Sequence, residues 1–248
     1  MEILYDTIKI DSKNTKIIAH RGLSGIETEN TNAAFVAAGN RSYFGIECDV
    51  HVTKDKKFPI IHDDNTLRVS GVDADVENST LEELKTIQLY DRQSKGNISE
   101  LLRADYVIPV LKDYISICKK YRKKAVLELK NEMPESDIKN IIEEIKQLEY
   151  FENVIFISFS KENILAVREL EPNANVQFLA SFCDDQLVDW LIENKLDFDM
   201  YYKRLTKEII DTLHENGLKV NCWTVDDPDD AKELISLGVD YITTNILE

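Results

Sequence analysis

Short runs of β-branched and aliphatic residues recur along the chain at 16–19, 45–49, 125–129, 154–158, 176–180, 197–200, 219–224 and 239–243. From the third run onward a new run starts roughly every 20 to 30 residues, and the stretch between carries apolar residues at helical spacing, the βα rhythm of a parallel sheet. Eight such units favour an α/β fold closed into a (β/α)8 TIM barrel over an open doubly wound sheet. Helix starts are marked by Thr80 with Glu83, a capping box, and by Asp227 followed by Pro228, an N-cap and first helical position.

One further run, 58–61, breaks the rhythm, because too few residues separate it from the second strand for a parallel crossover. It is expected as an extra antiparallel β-hairpin after strand 2. With 54–57 as the turn and Thr53 opposite Phe58, His62 falls opposite Asp49. Residues 64–108 are too long and irregular for one βα loop. They read as a small insertion between strands 2 and 3 that carries a short capped helix at 80–88 and a polar stretch at 91–100, placed over the strand ends.

Length agrees with this reading, since the chain has 248 residues and about 250 is the usual size of one complete barrel. A single domain, 1–248, is expected. Composition is globular, with 43% hydrophobic and 31% charged residues and no linker-like tract. The formal charge of −16 repels nucleic acid and anionic bilayers, so neither is an expected partner. An anionic substrate would need local cations. Cys48, Cys118, Cys183 and Cys222 are widely spaced with no CxxC, the N-terminus is acidic where a signal peptide is basic, and no apolar run reaches spanning length. The expectation is a soluble, cytoplasmic protein without stable membrane insertion.

In such barrels chemistry sits at the C-terminal ends of the strands, so charged residues there carry weight. His20 ends the first strand. Glu47 and Asp49, two apart, share one face of the second, and Glu128 ends the third. Three carboxylates converging on the barrel mouth call for a cation between them, and hard oxygen donors select Mg2+ or Ca2+. His20 and His62 are the candidate acid/base pair near them. Arg21 and Lys130 are candidate phosphate contacts, and Trp223, at the end of the seventh strand, a wall for a small carbon skeleton. His51 shares the Glu47 and Asp49 face and is expected to be peripheral or exposed. His214 is expected at a helix C-terminus, binding nothing. Together these groups suit metal-assisted hydrolysis of a phosphodiester.

The ordered fragments His20-Arg21-Gly22, Glu29-Asn30-Thr31, Glu47 to Asp55, His62-Asp63, 108–111, Glu128-Leu129-Lys130 and Trp223, with Ser158-Phe159, resemble the glycerophosphodiester phosphodiesterase family. The resemblance implies a TIM barrel hydrolysing glycerophosphodiesters to sn-glycerol 3-phosphate and an alcohol. It implies His20 and His62 as catalytic residues, Glu47, Asp49 and Glu128 as ligands of one divalent cation, Arg21, Lys130 and Trp223 at the substrate, and Glu29 beside the site. An alternative on the same barrel is a lysophospholipid-cleaving, phospholipase D-like enzyme, against which the polar 91–100 stretch argues. A catalytically silent barrel binding a phosphate metabolite or a protein is a third reading, against which the full set of ligands and histidines argues.

The chain departs from the family pattern at three places. Thr28 replaces a usual Pro, Asp55-Lys56-Lys57 replaces Asp-Gly, and Thr244-Asn245 replaces Thr-Asp. No room remains after strand 8 for a final helix, so the N-terminal 15 residues, or a partner subunit in a homo-oligomer, are expected to cover that edge.

Overall fold

The computed structural model describes residues 6–91, 103 and 105–248. Eight strands, β1 (Lys16–Ala19), β2 (Gly45–Val50), β3 (Lys124–Leu129), β4 (Val154–Ser158), β5 (Asn175–Ala180), β6 (Asp197–Tyr201), β7 (Val220–Trp223) and β8 (Tyr241–Thr244), form a closed barrel in chain order. Every pairing is parallel, and β8 closes on β1 from Lys16–Tyr241 to Ala19–Thr244. Helix α1 (Asn32–Gly39) follows β1, and the short α2 (Leu67–Ser70) and α3 (Leu81–Lys85) precede α4 (Leu111–Tyr121). Then α5 (Glu135–Gln147), α6 (Lys161–Leu170), α7 (Asp185–Asn194), α8 (Lys207–Glu215) and α9 (Pro228–Leu237) alternate with the remaining strands. The TIM barrel read from the strand rhythm is therefore the fold.

Alternation within each strand divides the core in two. Ile46, Cys48 and Val50 of β2, Ala125, Leu127 and Leu129 of β3, and Val220 and Cys222 of β7 face outward into the layer between sheet and helices. Ile18, Val126, Ile155, Ile157, Leu179 and Tyr241 face the lumen and fill it with a separate apolar cluster. Cys48 and Cys222 thus serve as small hydrophobes. The same parity sends Glu47, Asp49 and Glu128 inward. Asp49 is the register partner of Glu128, which puts the two carboxylates side by side on neighbouring strands.

The run after β2 does return antiparallel, but one residue out of the expected register. Thr53 donates its backbone N–H to the Lys57 carbonyl, and Lys56 adopts a left-handed φ of 58°. The turn is a three-residue loop with a left-handed third position, a common hairpin closure, and not the four-residue turn expected. Val50 therefore bridges to Ile60, and Asp49 lies opposite Ile61 instead of His62. Among the described residues this pairing is an isolated bridge and no ninth strand. Lys56 stands where Gly would ease the turn and donates to Asp137 at 2.8 Å.

Between β2 and α4, Ile61, Val69, Val76, Leu84, Ile87, Leu89, Tyr106 and Ile108 form their own small apolar cluster. The Thr80–Glu83 capping box forms on α3, and Asp227 caps α9 with Pro228 in its first turn. The polar stretch expected at 91–100 lies, beyond Asp91, outside the described residues. At the closing edge the N-terminal segment pairs with the residues that follow β8. Ile8 accepts from the Glu248 N–H and donates to Ile246, and the Glu248 carboxylate accepts from Thr7 and Ser42. Among the described residues no helix is long and apolar enough to cross a membrane.

Candidate active site

The β1–α1 loop is folded by its glycine. Arg21 and Gly22 both adopt left-handed φ, 54° and 75°, and a Cβ on Gly22 would lie 2.7 Å from the backbone of Ala34. Only glycine fits there. The turn aims the Arg21 backbone N–H at Glu47 Oε2, 2.8 Å away, so the loop is pinned to β2. In Glu29-Asn30-Thr31 each residue has a separate task. Glu29 accepts from Arg21 Nη1 at 2.8 Å, Asn30 donates to Asp49 Oδ2 at 2.7 Å, and Thr31 caps α1 by accepting from Ala34.

Glu47, Asp49 and Glu128 are all buried, and each offers an oxygen within 4.8 Å of the others. Lys130 lies 2.8 Å from Glu128 and 3.6 Å from Asp49, and Arg21 Nε lies 3.5 Å from Asp49. The charges do not balance locally. Burial and the neighbouring Asp49 and Glu128 charges drive Glu47 well above the usual carboxylate range. Burial and Asp49 push Glu128 up to about 7. For Asp49 burial works the same way, but Arg21 and Lys130 outweigh it and hold the group below its ordinary value. Asp49 Oδ1 is buried with no hydrogen-bond partner. An all-oxygen donor set with a carboxylate oxygen that accepts no hydrogen bond and two carboxylates resisting ionisation fits a hard divalent cation.

The two histidines are oriented by different partners. Asn245 donates its Nδ2 to Asp226 at 2.6 Å, which fixes its Oδ1 as the atom 2.8 Å from His20 Nδ1. His20 Nδ1 therefore carries the proton, and the Nε2 lone pair is turned toward Glu47, 4.0 Å away. Burial and the Arg21 charge lower its pKa to about 4, so at neutral pH it is an uncharged base. His62 Nδ1 donates to Asp63 at 2.7 Å, leaving its Nε2 for the cleft. Burial lowers its pKa, with Asp49 and Asp63 acting in the opposite sense. Arg68 ties Asp63 to Glu29.

His20, Arg21, Glu47, His62 and Glu128 line one cleft, walled on its other side by Ile157, Phe159, Leu179 and Trp223. Despite the shifted register, His62 reaches the same cleft as the carboxylates. Lys130 stands beside them through its contacts to Glu128 and Asp49. Glu29 is the outlier, lying behind Arg21 on a groove outside the β1–α1 loop. His51 does not line the cleft, in keeping with a peripheral place, but it is fully buried instead of exposed because the strand pairing covers it; its Nδ1 lies 3.0 Å from Glu77 and its Nε2 faces the His62 carbonyl at 3.4 Å. His214 does end α8, but it contacts Asp240 at 2.8 Å. Asn245, Arg68, Phe159 and Asp199 were not assigned from sequence. Of these, Asn245 carried a signal as a departure at the end of a strand, and Phe159 as part of the Ser158-Phe159 pair.

A model of the glycerophosphoryl diester phosphodiesterase family matches residues 20–248. A glycerophosphodiester phosphodiesterase of Caldanaerobacter subterraneus subsp. tengcongensis is 30% identical over 93% of this chain and 94% of its own. One of Bacillus altitudinis is 28% identical over 93% and 94%. Among solved structures, an Oleispira antarctica phosphodiesterase in complex with the product sn-glycerol 3-phosphate superposes with a TM-score of 0.83 at 24% identity, covering 96% of each chain. The fold, the strand-end carboxylates and these likenesses agree, and the chain belongs to the glycerophosphoryl diester phosphodiesterase family, whose members are phosphoric diester hydrolases.

Proposed function

We propose that the protein hydrolyses glycerophosphodiesters to sn-glycerol 3-phosphate and an alcohol, using one divalent cation, Mg2+ or Ca2+, held by Glu47, Asp49 and Glu128. The observation that carries this reading is a cluster of three buried carboxylates, two of which, Glu47 and Glu128, line one cleft together with both histidines. The Oleispira antarctica relative, described with sn-glycerol 3-phosphate, supports the substrate class. A cation bound there supplies Lewis-acid stabilisation of the charge on the phosphate oxygens.

The protein's own groups divide the remaining work. His20, uncharged and with Nε2 exposed to the cleft, takes the proton of the attacking oxygen, whether of water or of the glycerol hydroxyl. His62, held at Nδ1 by Asp63 with Nε2 facing the cleft, returns a proton to the leaving alcohol; Asp49 and Asp63 support its charged form against burial and the Arg21 and Lys130 charges, which together lower its pKa. Arg21 and Lys130 balance the phosphate charge against an overall acidic protein. Glu29 holds the Arg21 guanidinium in place. Trp223, edge to face with Phe159 at 5.6 Å, packs against the glycerol carbons. Four cysteines without disulfides accord with a reducing, cytoplasmic setting.

A panel of glycerophosphocholine, glycerophosphoethanolamine, glycerophosphoglycerol, glycerophosphoinositol and a lysophosphatidylcholine, assayed with Mg2+, Ca2+, Mn2+ or EDTA, tests the reading. Release of glycerol 3-phosphate that EDTA abolishes is expected. No release with any metal, or cleavage confined to lysophospholipids, would refute it.

A further inference from the structure

Opposite the carboxylate triad, the lumen carries a second polar layer that the proposed chemistry does not use. Asp199 of β6 and Asn221 of β7 are register partners, and Asn221 Nδ2 donates to Asp199 Oδ2 at 3.0 Å and to Gln177 Oε1 at 3.2 Å. Thr243 donates to Asn221 Oδ1 at 3.3 Å, which fixes the amide orientation. One carboxylate oxygen is therefore locked by the layer. The other, Asp199 Oδ1, is buried without any partner, and Asp199 lines the cleft that holds both histidines and Trp223. Trp223 is tied to the same residue, its Nε1 donating to the Asp199 carbonyl at 3.3 Å.

Arg21 Nε, Asp49 Oδ1 and Asp199 Oδ1 are buried at this site without a hydrogen bond, but the first two face opposite charges, Arg21 Nε at 3.5 Å from Asp49 and Asp49 Oδ1 at 3.6 Å from Lys130. The first two lie within the charged cluster, where a cation and a phosphate would meet them. Asp199 belongs to the β5–β8 side, beside the aromatic wall. A buried polar group is seldom left unmatched unless something binds it. The carbon skeleton placed against Trp223 carries hydroxyls, and a hydroxyl can donate to or accept from a carboxyl oxygen.

We propose that Asp199 is a specificity-determining residue whose Oδ1 hydrogen-bonds a hydroxyl of the glycerol moiety. This inference rests on the glycerophosphodiesterase reading above. Asp199 selects a polyol phosphate over an alkyl phosphate of the same length, because an alkyl chain would leave Oδ1 buried and unmatched.

The test is calorimetric titration of the Mg2+-loaded protein with sn-glycerol 3-phosphate and with n-propyl phosphate, in wild type, Asp199→Leu and Asp199→Asn. Dissociation constants compared within one sample do not depend on the fraction folded. Wild type is expected to favour glycerol 3-phosphate by about tenfold or more. Asp199→Leu should bring the two ligands to within about twofold, and Asp199→Asn, which still hydrogen-bonds, should keep most of the preference. A wild-type preference near one, or a preference that survives in Asp199→Leu, overturns the proposal. Failure of the underlying reading shows separately, as a wild-type enzyme that releases no glycerol 3-phosphate from any diester.

Discussion

The two sides of the barrel mouth are built on opposite principles. The β1–β3 side packs His20, Arg21, Glu47, Asp49, Glu128 and Lys130 into a cluster whose charges are mutually dependent. The β4–β8 side presents Phe159, Leu179 and Trp223 over a hydrogen-bonded layer of Gln177, Asp199, Asn221 and Thr243. Under the proposed function, the contrast separates chemistry from recognition. Charges on the first side are strained by burial and are ready to be used. Groups on the second are fixed in position and shape what can lie against them.

Removing an acid/base group from the charged side should have the largest effect. His20→Ala is expected to lower kcat on glycerophosphocholine by about a thousandfold, within the range for a general base, with an unchanged melting temperature. Near-wild-type kcat would end the division of roles. On the other side, Trp223→Ala should raise KM by about tenfold or more through lost apolar contact with the substrate carbons, leaving kcat much less affected. A kcat loss matching that of His20→Ala would erase the contrast.

Smaller effects sharpen it. His51→Leu leaves the Glu77 carboxylate and the His62 carbonyl without their histidine partner. A loss of about 1–3 kcal/mol is expected, read as a lower denaturation midpoint. The wild-type pH profile tests the electrostatics at no structural cost. Because His20 is held at about 4, it stays unprotonated well below neutrality. The acid limb of kcat/KM should therefore fall only as pH approaches about 4, and a limb centred near 6.5, the ordinary histidine value, would show that the burial argument fails.

The charged side was legible in the sequence because its residues end consecutive predicted strands, so parity alone sends Glu47, Asp49 and Glu128 to one mouth. His62 was placed correctly for a reason that was slightly wrong. The turn at Lys56 takes a left-handed residue and shortens the loop, which no hydrophobic pattern encodes. His51 is buried because the returning segment and Glu77 both cover it, and the Glu77 contact comes from a residue 26 positions away that no local pattern ties to it. The neutral side was nearly invisible. Asp199 and Asn221 are ordinary polar residues until the closed barrel makes them neighbours, and Arg68 reaches Glu29 and Asp63 only through the chain between β2 and α4. Asn245 stood out as a departure, but its role as the His20 partner needed β8 folded beside β1.

The central claim is that the Glu47, Asp49 and Glu128 cluster is a cation site. Isothermal titration of Mg2+ or Ca2+ into metal-stripped wild type and into Glu47→Gln tests it directly. One saturable site in wild type, weakened at least about tenfold in the variant, is the expected result. Absence of binding in wild type, or equal binding in both proteins, would contradict it.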